Sequence, residues 1–88
     1  MGNQVSVAFE EAAGRVQHLK TTPTEEQKLK LYALYKQATS GDNYRPEPTD
    51  ILAFKEKKKW KAWEELRGVP CAEAEEQYIA LVQELEKA

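Results

Sequence analysis

Residues 29–42 read Leu-Lys-Leu-Tyr-Ala-Leu-Tyr-Lys-Gln-Ala-Thr-Ser-Gly-Asp, and their periodicity decides the fold. Wound as a helix, they place Tyr32, Tyr35 and Lys36 at i, i+3 and i+4, so two phenols and an ammonium share one face. Leu29, Leu31, Tyr32, Ala33, Leu34, Tyr35 and Ala38 surround more than half of the circumference. A helix that apolar needs partners on two sides, or one partner and a ligand. Residues 55–66, Lys-Glu-Lys-Lys-Lys-Trp-Lys-Ala-Trp-Glu-Glu-Leu, echo the pattern with Lys55 and Lys59 four apart and Trp60 and Trp63 three apart. Two such faces set opposite each other can hold something flat, apolar in part and strongly anionic.

The signals on either side delimit four helices. Thr24 with Gln27 three residues later forms a capping box, Pro23 resists extension of any preceding helix, and Glu25 and Glu26 suit the positive end of the dipole, so this helix starts at 25 and runs to about Ser40, closed by Gly41. Before it, Phe9, Ala12, Ala13, Val16 and Leu19 recur at the helical period, which predicts a first helix over 7–19. Gly14 weakens that helix by about 1 kcal/mol relative to alanine, and its presence implies exposure or a close neighbour. After it, residues 41–50 combine proline, asparagine and aspartate and form a loop long enough to let the next helix start far away. The third helix begins between Ile51 and Phe54 and ends at Gly68, and Pro70 opens a fourth that runs through Glu86 with Ala74, Tyr78, Leu81, Val82 and Leu85 as its stripe. With no strand signal and no internal repeat, the expectation is an all-α four-helix bundle in a single domain, residues 1–88, with 1–6 as a flexible N-terminus.

The 88 residues carry a net charge of −2, so the molecule has no overall attraction for nucleic acid, and any anion must be held by a local patch. No apolar run approaches the ~20 residues of a membrane span, and no secretory pattern precedes the first helix. A single cysteine, Cys71, excludes an internal disulfide and, with one histidine, the usual kind of zinc site, so a reducing cytoplasmic setting is the simplest reading. At the start, Gly2 and Ser6 fit the pattern M-G-x-x-x-[ST], which makes Gly2 a candidate for myristoylation. One such chain gives only marginal membrane attachment.

Nothing assembles into a catalytic constellation. The carboxylates occupy solvated faces or caps, His18 has no nucleophile or carboxylate arranged beside it, and no glycine-rich phosphate loop is present, so the chain reads as a binding protein without enzyme activity, cofactor or metal. The lysines between 55 and 61, five against one glutamate, would in most helices be a solvated face. The tyrosines argue for more, because phenols in a small bundle need partners or an open face.

Three segments carry a resemblance. Tyr-Ala-Leu-Tyr-Lys-Gln-Ala-Thr-Ser-Gly-Asp at 32–42, Lys-Trp-Lys-Ala-Trp-Glu-Glu-Leu-Arg-Gly at 59–68 and Ala-Glu-Glu-Gln-Tyr-Ile at 74–79 closely resemble the acyl-CoA-binding protein family, as does the opening Phe-Glu-Glu-Ala-Ala with Val16, His18, Leu19 and Lys20. The resemblance implies an up-down-down-up bundle with a long crossover loop between helices two and three. It also implies a monomeric, non-catalytic carrier that binds medium- or long-chain fatty acyl-CoA thioesters and passes them to acyl-CoA-using enzymes. By matched position, Tyr32 and Lys36 meet the phosphates and adenine, and Tyr35 packs on the adenine ring, with Ala33 and Leu34 between them. Lys59 pairs with the ribose 3′-phosphate, Lys55 supports it, and Tyr78 offers a hydroxyl. Phe9, Ala13, Val16 and Leu29 correspond to an apolar groove along helices one and two for the acyl chain.

The sequence departs from the family pattern in several places. Gln17 stands at a headgroup position that is usually basic, and Lys28 stands where an apolar groove residue is common, its stem able to pack while the ammonium snorkels outward. The loop at 43–50 is one residue longer and richer in proline, and Glu56 and Lys58 replace small residues beside the site. A second reading of the same features is a helical module that docks a partner or an anionic membrane through the lysine cluster and an acylated Gly2, which leaves transient membrane contact as a further expectation. A nucleic-acid binder is a poor third, since the acidic first and fourth helices leave little basic footprint.

Overall fold

The structure, a computed structural model, describes residues 5–87. Helix α1 spans Val7–Arg15 and passes into a 3-10 turn at Val16–His18; α2 spans Glu25–Ser40, α3 Phe54–Glu64 and α4 Cys71–Glu86. No strand occurs among the described residues, so the all-α, four-helix expectation is met. None of the described helices is long and apolar enough to cross a membrane.

Local chemistry explains where each helix begins. At α2 the capping box forms as the sequence implies: Thr24 Oγ1 accepts from the Gln27 backbone N–H at 3.1 Å, and Gln27 Oε1 accepts from the Thr24 N–H at 2.8 Å. At α1 the cap is Ser6, whose Oγ accepts from the Phe9 N–H at 3.1 Å. Ser6 also donates its backbone N–H to Glu75 of α4 at 3.2 Å, and Val5 packs against the core. Residues 5 and 6 thus contact the bundle, and the rest of the N-terminus expected to be flexible, residues 1–4, lies outside the described residues. Gly2 lies outside the described residues.

The helix ends depart further from expectation. The α-helical winding of α1 stops at Arg15 rather than Leu19, but the 3-10 turn that follows still leaves Val16 and Leu19 packed on the core. A Cβ added at Gly14 would meet nothing within 4 Å, so exposure, not a close neighbour, accommodates that glycine. Helix α3 starts at the late end of the expected range because Ala53 supplies no capping side chain, while the turn before it is closed by Asp50, which accepts from Leu52 through Oδ1 at 2.9 Å and from Ala53 through its carbonyl at 3.0 Å. It ends at Glu64 rather than Gly68, since Leu66, Arg67 and Val69 bond back to Trp63, Glu64 and Leu66, spanning three residues instead of four. Gly68 completes these turns at φ 90°.

Helix α2 sits at the centre. It packs on α3 and α4, while α1 lies against α4. Leu31, Ala33, Leu34 and Ala38 of α2 meet Trp63 and Leu66 from one side and Ala74, Tyr78, Val82 and Leu85 of α4 from the other, with Phe9 and Ala12 of α1 completing the core. Burying each large aliphatic side chain there contributes roughly 1.5–3 kcal/mol. The apolar excess of α2 is thus met by two protein partners, and the tyrosines at 32 and 35 remain partly open.

The first half of the connection 41–53 is fastened to α3 and the turns after it. Gly41 accepts from Trp63 Nε1 at 2.8 Å, in a backbone conformation (φ 79°, ψ −150°) that side chains disfavour. Asp42 Oδ1 accepts from the Gly68 N–H at 2.8 Å and from Gln37 Nε2 at 2.9 Å. The Gly68 bond first, then the Gln37 amide, hold its carboxyl below the usual carboxylate range, and Arg67 adds to this. Buried Asn43 donates to the Trp60 carbonyl at 3.3 Å and accepts from the Arg45 N–H at 2.9 Å, and Arg45 in turn accepts from Trp60 Nε1 at 2.7 Å. These bonds fix Arg45 and the prolines after it alongside α3.

Candidate functional site

Two hollows open where α2 faces α3. The smaller, about 290 Å³, has Tyr32, Trp60 and Trp63 as its aromatic surfaces and the loop residues Arg45, Pro46 and Pro48 as a wall, with Glu56 and Lys59 entering from α3. Lys59 Nζ lies 5.4 Å from the Tyr32 ring centroid, while Lys36 Nζ and Arg45 Cζ lie 5.1 and 5.9 Å from the Trp63 ring. Three cations are thereby held over aromatic faces with Glu56 as the carboxylate in the lining, an arrangement that attracts anions and offers flat surfaces for a planar ring.

The larger hollow, about 1040 Å³, has an apolar floor of Leu29, Ala33, Ala62, Leu66 and Leu81. Its rim mixes Glu25, Glu26 and Glu65 with Lys30, Lys58 and Lys61, so no net charge accumulates there. Helical spacing explains the division: Lys59 and Trp63 turn to the small hollow, Lys58 and Ala62 one position earlier turn to the large one, and Tyr32 and Ala33 split α2 in the same way.

A third cluster lies apart. The Phe9 ring stacks on Tyr35 at 5.5 Å between centroids and tilts against Tyr78 at 4.9 Å, with Tyr35 and Tyr78 6.1 Å apart. Phe9 and Tyr78 are buried, whereas Tyr35 is 43% exposed. Burial, with a contribution from Tyr35, pushes the Tyr78 phenol up, so it stays a neutral hydroxyl.

The expected site residues are accordingly redistributed. Tyr32 and Lys59 line the small hollow and Lys36 reaches its Trp63 wall, so three members of the headgroup set are brought together. Tyr35 and Tyr78 belong to the separate ring cluster, Lys55 is exposed on α3, and Gln17 is exposed in the 3-10 turn and lines neither hollow. Leu34 is core, and Ala33 is buried and lines the large hollow. The four groove residues are not gathered: Leu29 lines the large hollow, but Phe9 is 1% exposed and Ala13 and Val16 pack against the core from α1. Helix α1 packs on α4, and the large hollow, lined by Leu29, opens between α2 and α3. Lys28 is exposed and outside the hollow, and Lys30 stands at the rim instead. Arg45 carried no sequence signal, since a cation in a proline-rich loop has no period to reveal which way it points.

A cationic, aromatic hollow beside a larger apolar one, on an all-α frame, defines a binding domain for an amphipathic anion. The family described as "Acyl CoA binding protein" matches residues 6–82. The chain is 51% identical over 81 residues to the acyl-CoA-binding protein of Saccharomyces cerevisiae and 44% identical over 81 residues to acyl-CoA-binding protein homolog 1 of Caenorhabditis elegans, in each case over 92% of this chain and 92% and 93% of the relative. Its fold superimposes on the crystal structure of Oryza sativa acyl-CoA-binding protein 2 with a TM-score of 0.85 at 40% identity, covering 91% of this chain and 88% of the other. The chain belongs to the acyl-CoA-binding protein family.

Proposed function

We propose that the protein is a non-catalytic carrier of medium- and long-chain fatty acyl-CoA esters, which it buffers and delivers to the enzymes of lipid metabolism. The observation that carries this reading is the adjacency of the two hollows across α2 and α3. The small hollow takes the nucleotide end, with Lys36, Lys59 and Arg45 meeting phosphate oxygens and Tyr32 offering a ring face. The large hollow takes the acyl chain, each buried methylene adding up to ~0.8 kcal/mol until the apolar floor is covered. The curated relatives named above, at 51% and 44% identity, carry the acyl-CoA-binding name, and they lend nothing to the reading as a stand-alone docking module. The carrier acts as a monomer in the cytoplasm, a setting in keeping with its single cysteine.

Titration calorimetry with palmitoyl-CoA, CoA and palmitate tests this. The thioester should bind tightest, CoA measurably, and palmitate least. Equal affinity for palmitate and palmitoyl-CoA would defeat the assignment of the small hollow.

A further inference from the structure

The small hollow carries a carboxylate among its cations. Glu56 stands three residues before Lys59 and four before Trp60 on α3, so the three share a face and line the hollow together. Opposite charges at this spacing ordinarily pair, yet no ion pair among the described residues includes Glu56. Lys59 stands over the Tyr32 ring and Arg45 over the Trp63 ring instead. The carboxylate is therefore exposed and uncompensated in a hollow whose other charges attract anions.

The start of α3 gives only part of the reason for it. Glu56 lies in the first turn, where a negative charge suits the positive end of the dipole, and Ala53 offers no capping side chain. A carboxylate at position 55 would serve the helix equally well, but a lysine stands there. The acid occupies the first-turn position that faces Tyr32, Arg45, Pro46 and Pro48 across the hollow. A unit charge so placed repels every phosphate that enters.

We propose that Glu56 is a specificity-determining residue of the small hollow, opposing the phosphates of a CoA nucleotide and weakening its hold in step with the charge they carry. This rests on the carrier reading and deepens it. The repulsion acts on the nucleotide whether or not a chain is attached, because the chain lies in the other hollow. Retention then depends on the chain: a nucleotide that has lost its acyl group leaves, while a loaded one is kept by its buried methylenes. Acting between charges at an exposed site, the effect fades as salt rises.

Calorimetric titration of the full chain, as parent, Glu56→Gln and Glu76→Gln, with CoA, dephospho-CoA and palmitoyl-CoA tests this. Glu76 is exposed on α4 and lines neither hollow, so its variant removes the same charge from elsewhere. At low salt Glu56→Gln should bind CoA about three- to tenfold tighter, palmitoyl-CoA tighter by the same factor, and dephospho-CoA, which lacks the 3′-phosphate, tighter by less. The gain should largely vanish at about 0.5 M salt, and Glu76→Gln should stay within about twofold of the parent throughout. Unchanged CoA affinity in Glu56→Gln would overturn the proposal, and a lower melting temperature beside it would assign the carboxylate to the helix start alone. Weaker binding would overturn it as well, making Glu56 an acceptor for a donor on the ligand. An equal gain in Glu76→Gln, or an equal gain for dephospho-CoA, would reject a local response to phosphate charge. Should the parent bind neither CoA nor palmitoyl-CoA, the carrier reading itself fails and takes this inference with it, an outcome distinct from a parent that binds and a variant that does not differ.

Discussion

Lys59 Nζ stands 5.4 Å from the centroid of the Tyr32 ring, which places the cation of α3 over an aromatic face of α2 across the small hollow. The pair is poised rather than satisfied. Neither residue is fully buried, and under the proposed carrier function a phosphate entering between the helices would gain a charged donor there.

Lys59→Ala should therefore weaken palmitoyl-CoA binding by about tenfold or more, in line with the roughly 1.5–3 kcal/mol of a charged hydrogen bond. Lys61→Ala, at the mixed-charge rim of the large hollow, should cost about threefold or less, as an exposed charge does. Calorimetric titration of both variants checks the contrast, and comparable losses would mean that the lysines act as a diffuse patch.

Arg45 separates ligand binding from stability. Its backbone groups tie the loop to Asn43 and Trp60, whereas its guanidinium lies over the Trp63 ring. Arg45→Ala keeps the first and removes the second, so the urea midpoint should stay close to the parent while CoA affinity falls roughly fivefold, or about 1 kcal/mol. Loss of stability without loss of affinity would assign the side chain a structural role.

Much of this was readable in the sequence, and what was not has a physical cause. Period and caps fixed the helices: the Thr24 and Gln27 box formed as spelled, and α2 and α4 have the expected extents. Ser6 fits two patterns at once, the acylation signal and the cap of α1, and the cap is the one that the described residues display. Spacing put Tyr32, Tyr35 and Lys36 on one face and the resemblance added Lys59, yet spacing could not tell that Tyr35, one turn from Tyr32, would stack on Phe9 instead. The family resemblance implied an apolar groove along the first two helices, but which helices adjoin is a tertiary choice. Here α1 chose α4 and left the opening between α2 and α3.

The core makes a stability claim independent of any ligand. Leu34 is 1% exposed at the centre of α2, where its removal leaves a cavity the packed helices cannot close. Leu34→Ala should lower the unfolding free energy by about 2–5 kcal/mol in urea titration. A cost below about 1 kcal/mol would mean that α2 is less tightly packed than its burial implies.

Asp42 makes the bundle sensitive to acid. The Gly68 N–H and the Gln37 amide stabilise its carboxylate, lowering its folded-state pKa below the ordinary 3.8. A carboxyl depressed in this way contributes stability above the unfolded value, and the contribution is lost as pH falls through the folded one. Asp42→Ala should thus melt at lower temperature than the parent at pH 7, with the gap narrowing as pH drops below about 3.8. Circular-dichroism melts at pH 7 and pH 3 test it, and a gap that widens in acid would contradict the assigned sign.

The most direct test is amide chemical-shift mapping of the labelled protein with CoA and then with palmitoyl-CoA. CoA alone should move Tyr32, Lys36, Arg45, Lys59 and Trp60, and only the thioester should also move Leu29, Lys30, Ala62 and Leu81. Identical shifts for the two ligands, or shifts confined to the α1 and α4 side, would contradict the assignment of headgroup and chain to adjoining hollows between α2 and α3.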